Sequence, residues 1–222
     1  MSSKRLDLRR EDGIFYLELI APPANQTDRL FFQELTDIIP TLCNTHTIRG
    51  LIIYGRGNHF SSGADIDELK AEMTKNNVRI AEELMSRSVD LFNKLAELPY
   101  PVVAAIRGCC LGSGLELALS CNYRISTKNG LFSLPETTFA LMPGCGGTVR
   151  LPRLVGRAKS IELILSGCSF LAEDGFKMGL IDCIVDKKEL LEAAKKLIHT
   201  VHSLHAPLKN TTDAGKRQVS TL

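Results

Sequence analysis

The 222-residue chain is 44% hydrophobic and 23% charged, proportions that exclude a disordered or fibrous protein and can supply one good core. Its 27 basic and 25 acidic residues leave a formal charge of +2, so charge alone draws it to no polyanion and nucleic acid is not an expected partner. No apolar run approaches the roughly 20 residues of a membrane span, and Lys4, Arg5, Arg9 and Arg10 precede no apolar stretch of a signal peptide, so a cytoplasmic protein without membrane contact is expected.

The first strand is expected over residues 14–20, where apolar and polar residues alternate imperfectly before Pro22 and Pro23. A helix follows over 27–42, with Leu30, Phe31, Leu35 and Ile38 on one side and Pro40 near its end. Residues 51–54 read as a strand, and Asp65 opens a helix with Ile66 and Leu69 inward. A long amphipathic helix is expected over 76–98 from Ile80, Leu84, Leu91, Leu95 and Leu98, stopped by Pro99, Tyr100 and Pro101. The apolar runs 102–106 and 180–185, the latter broken only by Asp182, read as strands covered on both faces. A final helix is expected over 189–204, followed by a polar tail without apolar period. Strands alternating with helices imply an α/β fold, divided here into a core over 1–197 and a partial C-terminal helical segment or tail over 198–222.

Seven cysteines without a C-x-x-C pair argue against a disulfide framework and against a zinc knuckle, so reduced thiols are expected. His199, His202 and His205 recur every three residues, but no neighbouring ligand completes a site, and no metal is expected.

Chemistry concentrates where two strands run through glycine-bearing turns into helices, at residues 51–66 and 102–120. Helix entrances carry unsatisfied N–H groups and a positive dipole end, so two of them face to face would make an oxyanion hole. The glycine spacing matches neither the dinucleotide fingerprint nor a phosphate loop, and Gly112-Ser113-Gly114 lacks the spacing of a nucleophile elbow. Glu116 lies within an otherwise apolar helix and Glu136 follows Pro135; burial raises carboxyl pKa values, and such a pair can hold one proton between them. Competing readings are structural: Ser113-x-x-Glu116 matches a capping box, Asp65 an N-cap, and Glu136 a solvated turn. For the S-x-x-E pattern alone, the cap is the favoured reading.

The segments His59-Phe60-Ser61-Ser62-Gly63-Ala64-Asp65-Ile66, Gly112-Ser113-Gly114-Leu115-Glu116, Leu134-Pro135-Glu136, Met142-Pro143-Gly144-Cys145-Gly146-Gly147-Thr148 and Arg150-Leu151-Pro152-Arg153-Leu154-Val155-Gly156 resemble, in order, those of the crotonase, or enoyl-CoA hydratase/isomerase, superfamily. The resemblance implies a β-β-α spiral with a shortened C-terminal helical segment. It also implies an acyl-CoA thioester substrate whose enolate is held by two backbone amides, here Ala64 and Ser113, the latter standing where the family usually has glycine.

By the same resemblance Glu116 helps activate water and Glu136 delivers a proton to Cα, while Gly112 and Gly144 lie beside the substrate and the Asp65 and Ile66 backbone near adenine. No cofactor is implied, because CoA belongs to the substrate, and a homo-oligomer, trimer or hexamer, is implied. Having both glutamates favours reversible hydration of a 2-trans-enoyl-CoA. The alternatives are an isomerase or another enolate enzyme of this type, such as a decarboxylase or thioester hydrolase, and a catalytically weak acyl-CoA-binding subunit.

Overall fold

Asp12 and Gly13, both at positive φ (51° and 75°), give the chain its first turn, the two-residue hairpin connection that Asp-Gly favours. It joins β1 (Leu6–Glu11) to β2 (Ile14–Leu19), with Glu11 opposite Ile14. The computed structural model describes residues 4–74, 78–204 and 208. The chain continues through α1 (Arg29–Asn44), β3 (Gly50–Gly55), α2 (Ile66–Thr74), α3 (Val78–Ala96), β4 (Val102–Ile106), β5 (Cys109–Leu111) and α4 (Ser113–Ser120). β6 (Tyr123–Thr127), β7 (Leu131–Ser133), a 3-10 turn (Glu136–Phe139), α5 (Gly147–Val155) and α6 (Arg157–Ser166) follow. β8 (Phe170–Leu171), α7 (Ala172–Lys177), β9 (Cys183–Val185) and α8 (Leu190–Ser203) complete the described elements.

Six strands form one sheet in the order β1-β2-β3-β4-β6-β9, parallel except for the first hairpin, and β5-β7-β8 form a smaller one. Ser61 bridges Cys110 beside β5, so three successive strands, β3, β4 and β6, each lead into an extended segment against the small sheet. This is the β-β-α spiral that the motif resemblance implies.

β4 is buried along its whole length. Val102, Ala104 and Ile106 join the cluster of Phe31, Leu35, Phe92, Leu95, Leu115 and Leu119, whereas Val103 and Ala105 meet Leu190, Ala194, Leu197 and Ile198 of α8. A strand covered on both faces needs no polar alternation, which is why its sequence is continuously apolar. α8 runs unbroken through residue 197.

Three expectations change most in extent. α1 starts later, at Arg29, because Asp28 caps it by accepting from Phe31 N–H at 2.9 Å, and it runs past exposed Pro40 to Asn44. The long helix over 76–98 is observed as Val78–Ala96; residues 75–77 and the side chains of Ile80 and Leu84 lie outside what is described. The strand over 180–185 shortens to β9, since the Leu180 and Ile181 N–H groups instead close the end of α7 on Gly175 O at 2.8 and 3.1 Å. The strands β1, β5, β6, β7 and β8 and the helices α5, α6 and α7 have no counterpart in the sequence reading; α7 has only six residues and Pro152 interrupts the pattern of α5.

Candidate active site

Each amide-bearing turn is shaped by a glycine with positive φ, Gly63 at 91° and Gly112 at 51°. The two turns touch. A Cβ placed on Gly63 would stand 2.8 Å from Leu111 O and 3.5 Å from Gly112 Cα, so this contact exists only because neither position bears a side chain. Leu111 N–H donates to Ser61 O at 3.0 Å, and the Ser61 hydroxyl accepts from Gly63 N–H at 3.1 Å, fixing the first turn to the second. Ala64 and Ser113 follow directly, and among the described residues neither N–H has a protein acceptor. Ser113 opens α4, where unsatisfied amides are the rule.

Glu116, one turn into α4, is 1% exposed. Its Oε1 accepts from Cys145 N–H at 2.8 Å and from Gly147 N–H at 2.7 Å, the latter the first residue of α5. The capping-box expectation is therefore overturned: Gly112 is the N-cap without a side-chain bond, and the carboxylate is held by a helix entrance 31 residues away. Burial raises the Glu116 pKa, and the Gly147 and Cys145 amides oppose the rise by stabilising the anion.

Glu136 follows Pro135 at the start of the 3-10 turn and is half-buried, not a solvated turn residue. A Cβ on Gly112 would lie 3.1 Å from Glu136 Oε1, so the carboxyl points at the amide-bearing turn. Among the described residues its Oε2 is buried without a partner. Burial first, and the charge of Glu116 second, lift its pKa to about 7.

The proton held by this pair belongs on Glu136, whose buried oxygen lacks a donor, while Glu116 keeps two N–H donors suited to an anion. A protonated acid, an ionised base and two unengaged amides around one turn can protonate a carbon, activate water and hold a developing oxyanion.

The remaining sequence-derived residues fall around this centre to different degrees. Gly112 is part of it, and Gly144 lies partly exposed on the loop leading to Cys145. Asp65 accepts from Asp67 and Glu68 N–H at 3.0 and 3.1 Å and so acts as the N-cap of α2, with Ile66 partly exposed at its start.

Four participants were given no role by the sequence. Arg150, 2% exposed, donates to Cys145 O at 3.1 Å and to Asn93 Oδ1 at 2.5 Å, bracing the loop that grips Glu116. Burial lowers its pKa and the charge of Glu116 counters this. Ser88 meets Cys145 Sγ at 3.2 Å, and Thr27 meets Ser113 Oγ at 2.5 Å. These partners are 57 and 86 residues apart, distances that no local pattern spans.

No cysteine is disulfide-bonded. Among the described residues no group of three His, Cys, Asp or Glu could hold a metal ion; His205 of the histidine series lies outside them.

A spiral fold with paired carboxyls at facing amide turns defines a class of protein, and comparison identifies it. The profile of the enoyl-CoA hydratase/isomerase family matches residues 9–221, and the chain belongs to that family, whose members are enzymes. It is 41% identical over 193 residues to a fatty acid oxidation complex subunit alpha from Vibrio parahaemolyticus, covering 85% of this chain and 27% of the relative. A protein of the same description from Vibrio cholerae is 42% identical over 208 residues, 88% of this chain and 29% of the relative. The chain thus spans under a third of the length of the curated relatives it matches. Among solved structures, an enoyl-CoA hydratase from Bacillus anthracis superposes with a TM-score of 0.83 at 32% identity, over 90% of this chain and 77% of that one.

Proposed function

We propose that this chain catalyses the reversible syn addition of water to a 2-trans-enoyl-CoA, giving a 3-hydroxyacyl-CoA through a thioester enolate. The observation that carries the reading is the unlike pair Glu116 and Glu136, one held by two N–H donors and the other buried without one. In the proposed step Glu116 takes a proton from water as its oxygen bonds Cβ, and the electrons of the double bond move onto the thioester oxygen. The N–H groups of Ala64 and Ser113 hold that oxygen. Glu136 then gives its proton to Cα as the enolate collapses, and transfer of one proton between the two carboxyls resets the site.

The Asp65 and Ile66 backbone serves the adenine end of CoA in this reading, and Gly112 and Gly144 leave room for the acyl group and water. No cofactor beyond the CoA of the substrate takes part. The reaction is assigned to the cytoplasm; among the described residues no helix is long and apolar enough to cross a membrane. A homo-oligomer, trimer or hexamer, belongs to the same proposal, and exposed Phe139, Met142, Ile161 and Leu165 provide apolar surface for it, which light scattering on the purified chain tests.

Loss of the conjugated enoyl-thioester absorbance of crotonyl-CoA tests the reaction. Glu116→Gln and Glu136→Gln are each expected to lower kcat by about 10²- to 10⁴-fold, the range for a positioned acid or base. Wild-type rates in both variants would reject the assigned roles. A shifted double bond as the main product from a 3-enoyl-CoA would make the chain an isomerase instead, and CoA-thioester binding without turnover would make it a binding subunit.

A further inference from the structure

The hydroxyl that distinguishes Ser113 from the family's usual glycine is not loose in the site. Ser113 is 6% exposed and its Oγ lies 2.5 Å from the Oγ1 of Thr27, itself 3% exposed. Thr27 also pairs with the other turn: its N–H donates to Gly63 O at 3.0 Å, in a parallel bridge to Ala64. One residue therefore grips the segment carrying the Ala64 amide through its backbone and the residue carrying the Ser113 amide through its side chain. Ser61 joins the same two turns one step further back, through Leu111 and Gly63, but reaches neither Ala64 nor Ser113.

We propose that Thr27 is a positioning residue for the oxyanion site, its hydroxyl bond to Ser113 setting the spacing of the Ala64 and Ser113 amides. The inference rests on the hydratase reading only in that both place a thioester oxygen between those amides. Oxyanion donors work when they stand about 2.7–3.1 Å from the developing charge. An error near 1 Å in such placement costs about 10²-fold in rate. The bond also directs the Ser113 hydroxyl at Thr27, so the added side chain becomes a brace between the turns.

The test uses the full chain with Thr27→Val, Thr27→Ser, Ser113→Ala and the Thr27→Val/Ser113→Ala double variant. Each is assayed for kcat and KM with crotonyl-CoA and for the near-ultraviolet absorbance of acetoacetyl-CoA, which grows when its enolate is bound and requires no water addition. Thr27→Val and Ser113→Ala are each expected to lower kcat by about 10- to 100-fold, with KM changed by no more than about twofold, and to weaken the enolate signal in parallel. The double variant is expected to match the worse single one, because both remove the same bond. Thr27→Ser, which keeps the hydroxyl, is expected to recover most of the rate.

Unchanged kcat and enolate signal in Thr27→Val overturn the proposal, as do losses that multiply in the double variant. Should Thr27→Val fail to fold, full activity in Ser113→Ala overturns it alone. A wild-type chain that binds the enolate but does not hydrate crotonyl-CoA rejects the hydratase reading while leaving the positioning proposal to the enolate signal. No enolate signal in the wild type rejects the positioning proposal itself.

Discussion

Glu116 and Glu136 are the same side chain in different surroundings, and the difference sets a pH dependence. Hydration in the proposed direction needs Glu136 protonated, so the rate should fall as pH rises through about 7, the value to which burial and Glu116 lift it. Glu136→Gln should remove that limb from the residual rate, as a pH profile of kcat would show. Stability follows the same group with a defined sign. Its folded pKa stands above the ordinary glutamate value of 4.5, so its contribution is complete below that pH and is lost as pH rises through about 7. Urea midpoints measured across this window should decline in the wild type and flatten in Glu136→Gln; an equal decline in both would place the effect elsewhere. The types and positions of both glutamates were legible in the sequence, but not the partners of Glu116. By pattern alone Ser113-x-x-Glu116 favours a capping box, and only the arrival of the Cys145 and Gly147 amides, 29 and 31 residues on, decides against it.

A helix can serve a site by its end alone, and α5 does so. Its first N–H, from Gly147, bonds the Glu116 carboxylate where the helix dipole favours negative charge. Gly147 is small for a steric reason: a Cβ there would lie 3.0 Å from Glu116 Oε1 and 3.2 Å from Pro143 Cβ. Gly147→Ala should push the carboxylate off its two donors and lower kcat by about 10-fold or more. The melting temperature should hardly move, since alanine has the better helix propensity. Equal losses of activity and of folded protein would show that the residue serves the fold instead. The element carries little sequence signal, because its work is done by a backbone amide and Pro152 obscures its period. β4 and, of the inward face of α1, Phe31 and Leu35 were legible for the opposite reason, being recorded in the apolar side chains themselves; Ile39 and Leu42 complete that face in place of Leu30 and Ile38, which are only partly buried.

At the scale of the molecule, periodicity gives an α/β chain but not a spiral, because the small sheet is made of strands of two or three residues and a single bridge at Ser61. Such segments are too short to show alternation, and the motif resemblance alone supplied the architecture. What joins the later layers is equally silent in sequence. Arg124 is fully buried, donating from Nε to Leu180 O and from Nη1 to Cys121 O, each at 2.7 Å, with Asp182 3.5 Å from Nη2. It clamps the end of α4 to the segment between α7 and β9, and a planar fork serves several carbonyls at once where an ammonium cannot. Arg124→Met should leave the Leu180 and Cys121 carbonyls without their donor, while Asp182 keeps the Arg124 backbone N–H at 2.8 Å, and cost about 1–3 kcal/mol for each orphaned carbonyl by urea unfolding, with Arg124→Lys recovering only part. Ser61, Thr27 and the contact of Gly63 with Gly112 hold the amide turns at the opposite end of α4. Activity per folded molecule should therefore survive Arg124→Met; a parallel loss of kcat would mean that the clamp and the site move as one body.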